Sequence, residues 1–177
     1  MVGVVLAVVV ALLRGGKYER LGELGLKGLP LVILALVMRS VVTPLEARGF
    51  LYGPVVQVVA YFIFFVAVVL NLGKPGLKLF GLGSLLNFIV IVANGGKMPV
   101  SMQAMETIGL SRMPVGTHTL MTQETRLWFL ADVIPVWTPV GQVISVGDIL
   151  IVAGIFLFIQ RRMLGGDTLP ALVSADK

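Results

Sequence analysis

Apolar residues in this chain run in long, nearly unbroken blocks: Met1–Leu13, Leu29–Thr43, Phe50–Leu72, Leu79–Ala93 and Thr138–Gln160. A helix on the surface of a soluble protein turns a polar face to water every third or fourth residue, and a half-buried strand alternates. These blocks do neither. They predict helices that are apolar all round, a pattern stable where the solvent is lipid. A bilayer needs about 20 apolar residues per crossing. The fold class expected is therefore all-α, an integral membrane bundle of about five transmembrane helices. Composition agrees, with 57% hydrophobic and 13% charged residues, against about 25% charged in soluble domains. That excludes a soluble enzyme and a disordered chain. Zero cysteines exclude disulfides, thiolate metal ligands and a cysteine nucleophile.

Charge sets the orientation. The first block is followed, not preceded, by Arg14-Gly-Gly-Lys17, so it reads as an uncleaved span and not as a secretory signal. With the amino terminus outside, the inner segments hold Arg14, Lys17, Arg20, Lys27, Lys74, Lys78, Arg161, Arg162 and Lys177. The outer ones hold only Arg39, Arg48, Lys97, Arg112 and Arg126. Positive charge collects inside, which predicts an amino-out, carboxy-in protein of the bacterial cytoplasmic membrane. Residues 1–162 form a single transmembrane domain and 163–177 a cytoplasmic tail. The net charge of +5 then belongs to lipid headgroups and topology, and the partner it implies is the bilayer, not nucleic acid.

The connection 94–137 faces outside and contains Pro99, Pro114 and Pro135. It repeats itself, Lys97-Met-Pro-Val-Ser101 recurring as Arg112-Met-Pro-Val-Gly116. Its richness in Met, Leu, Val and Trp predicts an ordered cap of short helical and extended pieces lying on the membrane surface, with Trp128 and Trp137 as interfacial anchors. Gly95-Gly96 lacks the lysine-serine that follows a phosphate loop and reads as a turn. Lys97 and Ser101 lie in a proline-bent loop that does not suit a nucleophile pair. His118, the single histidine, reads as an exposed loop residue, and neither a metal site nor a cofactor is expected.

Candidate chemistry rests on two aspartates. Asp148 falls within the last block, about eight to ten residues from its outer end, or about 12–15 Å along a helix axis. A carboxylate there costs a few kcal/mol unless it faces protein or water. Ser145 lies one turn earlier on the same face, and Gly147 and Gly154 mark a stripe that admits close helix packing. Asp132 lies in the apolar segment Leu127–Pro135 at the outer interface. Two carboxylates converging there can share a proton, one acting as base on a water and the other as acid. Asn87 and Asn94 share a face of the fourth block, placed either to bond helices together or to support a substrate or Asp148. Arg39 either snorkels to the outer headgroups or faces inward.

Leu130-Ala-Asp132-Val-Ile and Val143-Ile-Ser-Val-Gly-Asp148, with Gly154 six residues on, resemble the carboxy-terminal half of bacterial lipoprotein signal peptidases. That resemblance implies Asp132 and Asp148 as a catalytic pair. Ser145 stands where that family has asparagine, Asn94-Gly-Gly-Lys97 stands where it has Asn-x-x-Asp-Arg, and the first span is additional. Over nearly its whole length, through Asn87, Asn94-Gly-Gly-Lys-Met-Pro-Val-Ser101, Thr122–Leu127 and Ser145–Asp148, the chain also resembles a family of small bacterial multi-pass membrane proteins without assigned function. The leading reading is a non-catalytic subunit or scaffold that binds another membrane protein. The alternatives are an aspartyl peptidase acting near the outer leaflet, whose substrate would be a lipid-anchored peptide, and a small transporter. The apolar run Ile149–Ile159 gives a transporter no polar path.

Overall fold

Each long apolar block becomes a helix whose ends are set by glycine, proline or a side-chain cap. In this computed structural model the residues described are 2–22, 24–111, 114, 116–137 and 141–166. The long helices are α1 (Val2–Leu13), α2 (Leu29–Glu46), α3 (Gly53–Val69) and α4 (Leu77–Ala93). The segment that follows them holds β1 (Met98–Val100), α5 (Met102–Thr107), β2 (His118–Leu120), β3 (Ile134–Val136) and β4 (Gln142–Ile144). Helix α6 (Val146–Leu164) closes the order. The chain is mostly helical but not all-α as expected, because β1 pairs with β2 in parallel and β3 with β4 antiparallel.

Several boundaries differ from the apolar blocks, and three of them have a clear local reason. Helix α2 passes Thr43 and runs to Glu46, because Pro44 in the last turn removes one backbone bond and leaves the preceding turns intact. Helix α3 starts at Gly53 and not Phe50, since Pro54 suits the first turn, where its missing N–H costs nothing. The largest correction is α6. It begins at Val146 because Ser145 and Asp148 form a capping box there, and Gln142–Ile144 is strand. The expected start at Thr138 lies outside the described residues, as do Arg112, Met113 and Val115 of the repeat and the tail from Asp167 onward.

Helices α2 and α3 form an antiparallel pair pinned at both ends. At one end Asn71 accepts from the Lys27 amide (2.9 Å) and donates to the Lys27 carbonyl (2.8 Å). At the other, Gln57 donates to Glu46 (3.3 Å). Helices α4 and α6 run antiparallel and touch backbone to backbone. A methyl group on Gly154 would lie 2.7 Å from the Gly76 carbonyl and 2.5 Å from the Phe80 amide, and one on Gly147 would lie 2.7 Å from the Gly83 carbonyl. Only glycine permits that approach. Helix α1 lies alongside α6, held where Gln160 donates to the Ala7 carbonyl (2.7 Å) and accepts from Arg14 (3.0 Å).

Small residues are buried at the helix contacts, beside larger ones such as Val90, Phe158 and Met163, and many large apolar side chains lie on the surface. Ala7, Ala11, Ala35, Ala60 and Ala67 are buried, whereas Val5, Leu36, Phe62 and Leu157 are exposed, Phe62 by 60%. By length and composition one described helix, α2, can cross a membrane alone; α1, α3 and α4 are apolar but shorter.

Candidate functional site

Strand β1 is the organiser of the site. It pairs with β2 on one edge, Met98 facing His118. On its other edge Asp132 bridges Val100, with the Asp132 amide donating to the Pro99 carbonyl (3.1 Å) and the Ser101 amide to the Asp132 carbonyl (2.9 Å). His118 and Asp132 thus arrive from opposite edges of one short strand. Their side chains meet, with His118 Nε2 3.7 Å from Asp132 Oδ2.

Asp148 comes from the start of α6. Its Oδ2 accepts from the Ser145 amide (3.0 Å) and lies 3.0 Å from Ser145 Oγ, which in turn accepts from the Asp148 amide (3.0 Å). Its Oδ1 accepts from Asn87 Nδ2 on α4 (2.9 Å), and Ser145 Oγ lies 2.8 Å from Asn87 Oδ1. Asn87, Ser145 and Asp148 form one polar knot where α6 begins. The depth inferred from the apolar block is therefore wrong: Asp148 occupies the first turn of its helix and not the third. Asn94 is elsewhere. It ends α4 and clasps Arg126, accepting from its amide (2.9 Å) and donating to its carbonyl (2.9 Å), so it anchors the cap and takes no part in the site.

The two aspartates line a single cavity of about 230 Å³ together with Arg39 and Tyr61 from α2 and α3, Asn87 and Ile91 from α4, Met98, Thr117 and His118 from the cap, and Ile151 from α6. Arg39 faces inward, its guanidinium carbon 4.4 Å from the centre of the Tyr61 ring, a cation–π contact. A second, largely apolar cavity of about 250 Å³ adjoins the first along Arg39, Tyr61, Asn87 and Ile151 and extends past Phe64 and Phe80. Sequence reasoning assigned no role in the site to His118 and Tyr61. His118 is the first residue of a strand and not a free loop position, and only the long-range pairing through β1 reveals it.

Electrostatics separate the titrating groups. Asp132 is 5% exposed and its Oδ1 is buried without a hydrogen-bond partner among the described residues. Burial, followed by the charge of Asp148, raises its pKa from 3.8 to about 7. Burial, then the charge of Arg39, lowers His118, and Asp148 partly opposes this. An ion pair would shift both groups the opposite way. At 3.7 Å, beyond hydrogen-bond length, their attraction is weaker than the cost of burying either charge. Among the described residues no group of three histidine or acidic side chains is placed to hold a metal.

The chain belongs to a family of unknown function, DUF5317, which it matches over residues 23–160. The match takes in every residue lining the cavity and omits α1. An uncharacterized protein of Thermotoga maritima is 36% identical over 144 residues, covering 80% of this chain and 76% of that protein. No solved structure matches the chain.

The raised Asp132 carboxyl makes stability depend on pH with a definite sign. The folded state holds this proton more tightly than the unfolded state, so the stability this group contributes is greatest below the ordinary value of 3.8 and declines as pH rises toward about 7. The slope from this group approaches about 1.4 kcal/mol per pH unit. Thermal unfolding of the purified protein between those limits should show the decline, and Asp132→Asn should flatten it. An equal slope in both proteins would exclude a raised Asp132.

Proposed function

We propose that this chain is a multi-pass protein of the bacterial cytoplasmic membrane, and that its two-aspartate cavity hydrolyses an amide at the outer membrane surface. The membrane reading is supported by the leucine, valine, isoleucine and phenylalanine side chains exposed along α1, α2, α3, α4 and α6, and by the glycine and alanine at the helix contacts. Helices α3 and α4, at 17 residues, rise about 26 Å. Flanking Phe50, Leu51, Leu70 and Leu72 extend α3 toward the bilayer thickness. Residues 1–162 make up the transmembrane domain, five helices with α1 the shortest, amino end outside and carboxy end inside. Arg14, Lys17, Arg20, Lys27, Lys74, Lys78, Arg161 and Arg162 lie at the helix ends opposite the cap, which accords with the cap facing outward.

The observation that carries the hydrolytic reading is the convergence of Asp132 and Asp148 on one cavity, with Asp132 holding its proton near neutral pH. A water attacks the amide carbonyl carbon while Asp148 takes the proton that water releases. Asp132 gives its proton to the departing nitrogen as the C–N bond breaks, leaving a carboxylic acid and an amine. The resemblance of these two aspartates to those of lipoprotein signal peptidases supports the same assignment. Ser145, standing where those enzymes have asparagine, supplies the cap of α6, and Asn87 orients Asp148. The adjoining apolar cavity suits the membrane-embedded part of a peptide.

One observation favours a non-catalytic subunit instead. Both oxygens of Asp148 are already engaged by Ser145 and Asn87, as a lock between α4 and α6 requires.

Two experiments test these readings. The chain has no native cysteine, so single cysteines report topology cleanly. An impermeant thiol reagent should label Gln103→Cys in intact cells and Gly73→Cys only after lysis; the reverse would overturn the orientation. For the chemistry, the protein is expressed in a bacterial host and the amino termini of its membrane fraction are mapped by mass spectrometry. New termini should appear with the wild type and fall by about 100-fold or more with either Asp132→Asn or Asp148→Asn. Identical termini in all three strains would remove the hydrolase and leave the subunit.

A further inference from the structure

We infer that His118 is the proton gate of the cavity, its Nε2 passing protons between outer water and the Asp132 carboxyl. The inference rests on Asp132 being the acid of the proposed site. An acid that gives up its proton in each cycle must regain one, and Asp132 is buried, with one oxygen unpartnered and the other facing His118 Nε2 at 3.7 Å. The His118 side chain is 47% exposed. Of the residues lining the cavity it alone is exposed, so it joins the buried acid to the outside.

The remaining ring nitrogen sets the chemistry. His118 Nδ1 lies 3.1 Å from Thr117 Oγ1. With the neutral ring's proton on Nδ1, donated to Thr117, the Nε2 lone pair is free to take a proton from water. The imidazolium so formed gives its Nε2 proton to the Asp132 carboxylate and returns to the neutral ring, while Asp148 releases to water the proton it took from the attacking water, which leaves the proton count balanced. The charged groups around the ring are Arg39 from α2, Asp148 from α6 and Asp132 itself, while α3 and α4 contribute the uncharged Tyr61, Asn87 and Ile91. Burial and then Arg39 hold the imidazolium down, so it forms only transiently near neutral pH and passes its proton on.

Because the chain has one histidine, nitrogen-15 histidine labelling yields one imidazole spectrum from the whole protein in detergent micelles. The neutral ring should be the Nδ1–H tautomer. Its titration should carry a second inflection where Asp132 ionises, near pH 7. In Asp132→Asn that inflection should vanish, while the imidazolium midpoint, reached where Asp132 is already protonated and neutral, should stay close to the wild-type one. Thr117→Val should weaken the tautomer preference, which keeps the inference testable if Asp132→Asn fails to fold. A neutral ring protonated on Nε2, or a titration indifferent to Asp132→Asn, overturns the gate. Neither readout needs turnover, so a coupled His118 in a protein that cleaves nothing would refute the hydrolytic reading and keep the pair.

Discussion

The start of α6 depends on a polar knot that water would otherwise dissolve. Ser145, Asn87 and Asp148 satisfy one another within about one helical turn, and Gly147 lets the α4 backbone come close enough for Asn87 to reach across. In the interior of a bundle each of these groups, left alone, would cost about 1–3 kcal/mol. Together they end the β4 segment, start the helix and fix the direction of the Asp148 carboxylate. They also set the level at which α4 and α6 meet, and so the floor on which the cap is laid.

The cap brings the other half of the site by different physics. Its strands are only three residues long and could not persist alone. They are held because Met98 and Ala131 pack on Val90 and Ile91 at the end of α4, while Asn94 clasps Arg126. Strand β1 then holds His118 and Asp132 on opposite edges. Arg39, resting on Tyr61, supplies the cation that faces this cluster from the α2–α3 pair. A rigid helical contact thus supplies one carboxylate and a small, externally braced sheet supplies the other.

How far this was readable follows from the range of each interaction. The helices are legible because continuous apolar blocks are local features, and Gly28 with Pro30 marks the start of α2 in the sequence itself. The start of α6 was misplaced because Gln142–Ile144 is as apolar as a helix turn, and hydropathy does not distinguish strand from helix. The cue lay in Ser145-x-x-Asp148, a cap pattern read instead as two residues on one helical face. Asp132 and Asp148 were legible as carboxylates in apolar surroundings. His118 was not, since its partners lie far along the chain and reach it only through the pairing of β1. Arg39 permitted two directions, and the Tyr61 ring, a partner on the next helix, determines the inward one.

The central claim is that Asp132 and Asp148 sense each other across one cavity. Infrared difference spectroscopy of the protein over a pH series reads it directly, with the protonated-carboxyl stretch of Asp132 identified by its loss in Asp132→Asn. That band should disappear with a midpoint at about pH 7, and in Asp148→Asn the midpoint should move down as the neighbouring negative charge is removed. A band that titrates at the ordinary value of 3.8, or one that ignores Asp148→Asn, would contradict the account.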